Sequence, residues 1–265
     1  MKGERKEDID ISVPAKHNKL IEKALVNINS DVEIKALWKI INVNAIDRLG
    51  MSDHGPIHFQ IVANIALKIC RLLTKKDIKL SITEDYELSN NHGELVVLLA
   101  SLFHDLGMTI NREGHEEFSL FMAKDILERV LDFLPTEERL IVTSETLHAI
   151  IGHRSDGAPY TLEAGIMRVA DALDMSEGRA RIANEYGIID IYNISAAAIE
   201  GVDINEGKDK IIDITIRMNN SAGLFQVGEL LKNKLKGSGL EKYIKVTAIV
   251  EAEVEKKLMK EFVID

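Results

Sequence analysis

Hydrophobic residues recur every three or four positions over most of the first 185 residues, which is the spacing of helices that bury one face. The pattern predicts helices within residues 17–49. After Pro56, positions 58, 62, 65 and 69 share one helical face, so His58 lies in an otherwise apolar stripe. Asp53 is a candidate cap for this helix, because Pro56 suits a first helical turn.

The most apolar helix is predicted over residues 93–107, which are hydrophobic on nearly every side and therefore indicate burial. Gly107 fits the end of that helix. The preceding residues 74–92 are polar and predict a loop. Three further helices are expected, with Thr161 as the N-cap of the last and a loop "HRSDGAPY" before it: 114–134, 135–152 and 161–175.

After residue 185 the periodicity changes from helical to alternating. Period-two patterns predict strands over 209–218 and 243–251, with a helix over 222–236 between them. Weaker strand patterns occupy 188–192 and 199–204. The predicted fold class is therefore mainly α, with a helical bundle over residues 17–185 and a small α+β domain over residues 186–265.

Composition is that of a globular protein, with 46% hydrophobic and 29% charged residues. The net charge of −10, without a local basic cluster, argues against a nucleic-acid groove. The single cysteine, Cys70, excludes an intrachain disulfide and favours a cytoplasmic location. The polar N-terminus shows no signal-peptide core, and no apolar stretch of spanning length is expected, so no membrane is predicted.

Six of the eight histidines fall in the helical part, and several lie beside carboxylates in apolar surroundings. His104 and Asp105 end the most apolar helix, and Asp171 lies within "IMRVADALDM". Buried imidazoles and carboxylates are costly unless they pair or bind a cation. Such a set suits Mn, Fe, Zn, Ni or Co, and Mg less well. A bound ion of this kind can activate water and polarise a phosphoryl or carbonyl oxygen.

The order of His58, His104-Asp105 and Asp171 resembles the H…HD…D pattern of the HD-domain metal-dependent phosphohydrolases. The flanking segments "HFQIVANIA", "LASLFHDLG" and "RVADALD" are similar to that family's motifs, over about residues 50–185. The resemblance implies an HD-domain helical bundle in which these four residues hold a divalent metal ion. One or two ions per chain are implied, and Asp105 would bridge a pair.

The same resemblance implies roles for further histidines. It implies that His115 and His153 hold a second ion or face substrate phosphate, and His148 is a weaker candidate for the same role. His115, with Asp105, is a candidate catalytic residue, because it could donate a proton to the leaving oxygen. His54 could line the mouth of the site or simply cap a helix.

Four arginines are candidates for binding a phosphorylated substrate, although most arginines are simply solvated. They are Arg154, Arg168, Arg179 and Arg181. For Arg168 the ordinary alternative is an ion pair with Asp171, three residues later on one helix. Asp174 is expected to pair with one of these arginines. Met108 stands where the cyclic-di-GMP phosphodiesterases often have lysine, and their Gly-Tyr-Pro signature is absent, which argues against that activity.

The sequence favours hydrolysis of a nucleotide or other phosphate ester, or of a phosphodiester, by a metal-activated water. The alternative is a non-catalytic module that binds metal and nucleotide and signals through the α+β part. A purely structural metal clamp is a third possibility. The long, regular strand over 209–218 could pair between subunits, so a homodimer is expected. The predicted partner is a small phosphorylated molecule.

Overall fold

The computed structural model describes residues 9–154, 157–175, 191–251 and 261–264. A π-helical turn, Val43–Arg48, continues the second helix, and a 3₁₀ turn, Leu106–Thr109, follows the fifth. The helices of the first part are α1 (Lys19–Ser30), α2 (Val32–Asn42), α3 (Pro56–Thr74), α4 (Ser81–Tyr86), α5 (Asn90–Phe103), α6 (His115–Val130), α7 (Thr136–Gly152) and α8 (Leu162–Leu173).

Helix α5 forms the centre of the bundle. Its residues from Gly93 to Phe103 are all buried, and it contacts α1, α3, α4, α7 and α8. The prediction of a buried helix is thus confirmed, but the predicted end at Gly107 is wrong, because α5 ends at Phe103. Gly107 serves another purpose: a Cβ there would lie 2.0 Å from the carbonyl oxygen of His115, so only glycine lets α6 approach this closely.

The polar segment 74–92 was predicted to be a loop. This prediction is wrong in part, because the segment contains α4 and the start of α5. The physical reason lies far along the chain, on α8. The carboxylate of Glu163 accepts hydrogen bonds from the backbone N–H groups of Ser81 (3.2 Å) and Ile82 (3.0 Å). These bonds satisfy N–H groups that the first turn of α4 leaves unpaired.

Helix α3 begins as expected, although Asp53 acts from two residues before the capping position. Its carboxylate accepts from the N–H groups of Gly55 at 2.9 Å and His58 at 3.3 Å. Contrary to expectation, α3 is long and apolar enough to cross a membrane by length and composition alone. Half of that stretch is buried inside the protein, where α3 packs against α5 and α8, as a core helix does.

The C-terminal part contains a sheet with the strand order β1 (Ile199–Glu206), β2 (Ile212–Met218), β3 (Ile244–Val250) and β4 (Glu261–Ile264). The β2–β3 pair is parallel, and the β1–β2 and β3–β4 pairs are antiparallel. Along β2 and β3 buried residues alternate with partly exposed ones, which confirms both period-two predictions.

Of the two weaker strand predictions, one is confirmed and the described part of the other is wrong. The pattern at 199–204 lies within β1, whereas residues 191 and 192 belong to a helix, α9 (Ile191–Ala197), so the strand prediction is wrong there. Residues 188–190 lie outside the described residues. The helical segment predicted over 222–236 is present from Ser221 to Leu235 but is irregular, because it combines a 3₁₀ turn (Ser221–Gly223), a π-helical turn (Gln226–Leu231) and a short helix, α10 (Lys232–Leu235).

The segment from Ser221 to Leu235 is the crossover that two parallel strands need, and it brings α10 against α8. The contact is close, because a Cβ at Gly165 of α8 would lie 2.0 Å from the carbonyl oxygen of Ser238. One hydrophobic core continues from the bundle into the sheet. The fold is mainly α with a small α+β C-terminal part, as predicted, while the predicted boundary at 185/186 lies outside the described residues.

Candidate metal centre

Four histidines from separate elements converge on one buried point. His58 comes from α3, His104 ends α5, His115 opens α6 and His153 follows α7, and each is at most 5% exposed. Asp105 lies beside His104 in the turn after α5. The turn is held on α6 by a buried serine, Ser119, whose single O–H lies between the carbonyl oxygens of His104 (Oγ–O 2.6 Å) and His115 (2.7 Å) and whose Oγ accepts from Gly107 N–H (2.8 Å).

Three of these imidazoles are oriented in the same way, each by a backbone carbonyl shortly before it in the chain. The Nδ1 atoms of His104, His115 and His153 each donate to the backbone carbonyl three residues earlier, at 3.0, 2.9 and 2.5 Å. A carbonyl oxygen can only accept, so Nδ1 carries the proton. In the neutral ring, Nε2 then offers a lone pair. The Nε2 atoms of His104 and His153 therefore present acceptors to the shared point, whereas Nε2 of His115 donates to Oδ1 of Asp105 at 3.0 Å.

His58 is oriented by a carboxylate instead. Its Nδ1 donates to Oδ2 of Asp174 at 2.6 Å, and both side chains are buried. Metal-binding histidines commonly donate their second ring N–H to a carboxylate, which fixes the ring and raises its basicity. An arginine was the expected partner of Asp174, and His58 is a partner that the sequence did not indicate. The structure thus adds a residue that supports the site through His58.

Asp105 lies between two groups of imidazoles. Its Oδ2 is 3.4 Å from Nε2 of His104 and 4.0 Å from Nε2 of His58. Its Oδ1 is 3.0 Å from Nε2 of His115 and 3.9 Å from Nε2 of His153. Each carboxylate oxygen therefore faces a different pair of histidines.

Asp171 of α8 completes the first of these groups. Its Oδ1 is 3.5 Å from Nε2 of His58 and 3.7 Å from Nε2 of His104, and these two Nε2 atoms are 3.2 Å apart. In the second group, Glu116 joins His115 and His153, with one ligand atom of each within 4.8 Å of the others. Two three-residue ligand sets that share no member thus flank Asp105, and a third possible set, His104, Asp105 and His153, spans them.

The ionisation states of these residues match the requirements of a metal site. Burial tends to raise the pKa of Asp105, but the neighbouring imidazoles of His104 and His115, the latter through a hydrogen bond, outweigh it and hold the pKa well below its usual range. For Asp171, burial is outweighed in the same way by Lys234 and His58, and its pKa is also held well below the usual range. Both carboxylates are therefore ionised at neutral pH.

The imidazoles differ in the direction in which their pKa values are shifted. Burial lowers the pKa of His104 and, much further, that of His153, so both rings are neutral at neutral pH. Burial also acts to lower the pKa of His115, but the hydrogen bond and charge of Asp105 outweigh it and raise the pKa. Metal ligands must be neutral imidazoles and ionised carboxylates. Buried lone pairs and carboxylates that face one another repel without a cation, so this donor set fits a divalent ion.

These shifts predict that the metal-free protein loses stability as the pH falls below about 6.5, the ordinary histidine pKa. His104 and His153 have lower pKa values when folded, so below that pH the unfolded chain binds more protons. Each contributes at most about 1.4 kcal/mol per pH unit, and His115 opposes them. Thermal melts of chelator-treated protein between pH 7.5 and 5.5 test this. The variant His153→Gln should decline less steeply, and an equal slope would contradict the assignment.

A cavity of about 100 Å³ opens over the centre, and every side chain that lines it is polar or charged. The lining residues are His54, Asp105, Arg112, His115, Glu116, His153, Arg154, Asp171 and Lys234. His54, which is 5% exposed, and Arg154 therefore line the cavity, and their role in binding substrate stays a prediction. Arg154 also forms an ion pair with Glu117.

Other predicted residues lie elsewhere. The ring of His148 stacks on Tyr160 at 4.7 Å, and its Nε2 accepts from the Tyr160 backbone N–H at 2.9 Å, outside the cavity lining. Arg168 is buried and donates to the backbone carbonyls of Lys234 (3.0 Å) and Asn233 (3.2 Å). Arg168 thus joins α8 to the crossover segment. Arg179 and Arg181 lie outside the described residues.

Sequence reasoning missed four residues that the structure brings to the centre or its cavity: Arg112, Glu116, Asp174 and Lys234. Glu116 follows His115 directly, and Asp174 follows Asp171 by three residues, so local spacing could have indicated both. Nothing near Lys234 in the sequence marks it. Its Nζ lies 2.5 Å from Oδ2 of Asp171, a contact that exists only because α10 packs on α8.

Comparison with known proteins agrees with this geometry. Residues 57–176 match the HD domain family, and this segment contains His58, His104, Asp105 and Asp171. The chain belongs to the HD-domain superfamily, whose members are typically metal-dependent hydrolases. It is 40% identical over 222 residues to a protein of Methanocaldococcus jannaschii named "Uncharacterized protein MJ1020", a match that covers 83% of this chain and 86% of the relative. No solved structure matches the chain.

Proposed function

We propose that the protein is a phosphohydrolase that holds two divalent metal ions and acts on a phosphate ester. The observation that carries the proposal is the position of Asp105, whose two oxygens face two separate sets of ligand atoms. His58, His104 and Asp171 would hold one ion, and His115, Glu116 and His153 would hold the other. Asp105, between them, would contact both.

Bound ions of this kind lower the pKa of a coordinated water and polarise a phosphoryl oxygen. The protein's own residues prepare the site for that chemistry. The backbone carbonyls that accept from Nδ1 of His104, His115 and His153 fix these rings, so that their Nε2 atoms would be turned towards a bound ion. Arg112 and Arg154 place positive charge beside the cavity, where an anionic substrate would enter.

The number of ions decides the role of His115. With a second ion bound, its Nε2 is a ligand. With one ion, the hydrogen bond from Nε2 to Asp105 keeps the ring protonated, and His115 could donate its proton to the leaving oxygen. Elemental analysis of untreated protein distinguishes the one-ion form from the two-ion form. The proposal predicts about two ions per chain.

The proposed activity is tested by turnover. Chelator-treated protein is reloaded with Mn(II), Co(II) or Ni(II) and offered nucleotides, an aryl phosphate and an aryl phosphodiester. We expect phosphate ester hydrolysis that requires the added ion. If no substrate is turned over while metal and a nucleotide bind tightly, the protein is instead a non-catalytic binding module.

Several predictions made from the sequence stay predictions. They include a cytoplasmic location, with which the buried free thiol of Cys70 agrees, a homodimer, and a partner that is a small phosphorylated molecule rather than nucleic acid or membrane. Manganese is one of several suitable ions, because imidazole and carboxylate ligands do not distinguish among the first-row divalent metals.

A further inference from the structure

Lys234 brings a cation into the metal centre from the C-terminal part of the chain. Its Nζ lies 2.5 Å from Oδ2 of Asp171, its side chain is 14% exposed, and it lines the cavity. A lysine side chain is rarely buried to this extent unless it is paired. Its presence beside a ligand carboxylate therefore requires an explanation.

The backbone that carries Lys234 is held on the helix that carries Asp171. Arg168 of α8 donates to the carbonyl oxygens of Lys234 and Asn233, and Gly165, one turn earlier, allows the Ser238 backbone to approach α8. These contacts are made by main-chain atoms of the crossover segment. They fix the position from which the Lys234 side chain reaches the centre.

The two oxygens of Asp171 have different neighbours. Oδ1 faces the Nε2 atoms of His58 and His104, and Oδ2 faces Lys234. An ion held by Oδ1 and the imidazoles would therefore leave the contact between Oδ2 and Lys234 in place. An ammonium group has three N–H donors, and its contact with Asp171 uses one of them. Among the residues that the structure describes, no other side chain contacts Nζ, so two N–H donors can reach an oxygen atom in the cavity.

We propose that Lys234 binds a phosphate oxygen of the substrate, so that the C-terminal part completes the active site. The inference rests on the proposed function in that it assumes a phosphate-bearing ligand. The cavity supports it, because about 100 Å³ lined by polar and charged groups admits a phosphoryl group and leaves little room for an apolar one. Of the three cations in the lining, Arg112 lies against the ring of His115 and Arg154 pairs with Glu117, whereas Lys234 contacts a ligand carboxylate directly.

The competing explanation is that Lys234 merely neutralises Asp171 and supports the ligand set. The two explanations differ in what Lys234→Ala does to metal and to phosphate. A supporting role predicts loss of metal. A phosphate-binding role predicts that metal content stays unchanged while phosphate affinity falls.

The experiment compares Lys234→Ala and Lys234→Arg with Lys232→Ala, an exposed lysine on the same short helix. Metal content is measured by elemental analysis, and binding of inorganic phosphate to the metal-loaded protein by calorimetry. We expect Lys234→Ala to keep its metal and to bind phosphate about tenfold to a hundredfold more weakly, the loss typical of a hydrogen bond to a charged group. KM for an aryl phosphate should rise, Lys234→Arg should recover part of the affinity, and Lys232→Ala should match the wild type.

Two results would overturn the inference. Lys234→Ala that binds phosphate as tightly as the wild type would do so and leave the proposed hydrolase activity intact. Lys234→Ala that loses its metal would assign Lys234 a supporting role. If the wild type binds phosphate through Lys234 but hydrolyses no ester, the proposed activity fails and the assignment of Lys234 stands.

Discussion

Asp105→Asn is expected to lower turnover of a phosphate ester by about 1000-fold or more, because it removes a carboxylate whose two oxygens face both sets of imidazoles. The substitution keeps the size of the side chain but removes its charge. It also directs an amide N–H group towards either His104 or His115. Metal content, measured by elemental analysis after loading with Mn(II), should fall together with turnover.

The control is Asp125→Asn on α6, a chemically identical change at a side chain that is 81% exposed. It should leave metal content and turnover at wild-type values. Thermal melts of both variants show whether the fold is retained, because a loss of activity is informative only in folded protein. Asp105→Asn that is folded and hydrolyses the ester at the wild-type rate would refute the proposed mechanism.

Most of the ligand set could be predicted from the sequence because its signals are local. His58 interrupts an apolar stripe, and His104 and Asp105 directly follow a helix that is hydrophobic on nearly every side. A polar side chain in such a place must be compensated by a partner or an ion. The order of these residues along the chain then sufficed to indicate one shared centre, which the geometry brings together within a few ångströms.

The residues that support the centre could not be predicted as readily, because their positions depend on packing between distant segments. Lys234 reaches Asp171 only after the crossover segment docks on α8. Gly107 was interpreted as a helix end, yet its function is to let the backbone of His115 approach the turn that holds Asp105. Neither contact leaves a periodic pattern in the sequence.

In the fold, too, elements with a local sequence pattern could be predicted, and elements that depend on contacts between distant segments could not. Long periodic segments such as α5 and β2 were predicted, since a buried face determines their pattern. Helix α4 was missed because its first turn is satisfied by Glu163, which lies about eighty residues later in the sequence. Short elements of this kind are stabilised by tertiary contacts rather than by their own sequence.

Asp174→Asn is expected to lower metal affinity by about 10-fold to 100-fold, the usual cost of losing an outer-shell partner of a metal-binding histidine. The reason is the 2.6 Å hydrogen bond that Asp174 accepts from Nδ1 of His58. A neutral amide holds the ring less firmly and makes its Nε2 less basic. Titration of chelator-treated protein with Mn(II) measures the change, and Asp174→Ala should show a larger one.

A double-mutant cycle separates this role from a general effect on folding. If Asp174 acts through His58, then Asp174→Asn should have little further effect on Mn(II) affinity in a His58→Ala background. Independent effects of the two changes would instead mean that Asp174 supports the site through other contacts. Because Asp174 lies just beyond the end of α8, three residues after Asp171, a coupled result would make this helix end the source of both a ligand and the group that orients another ligand.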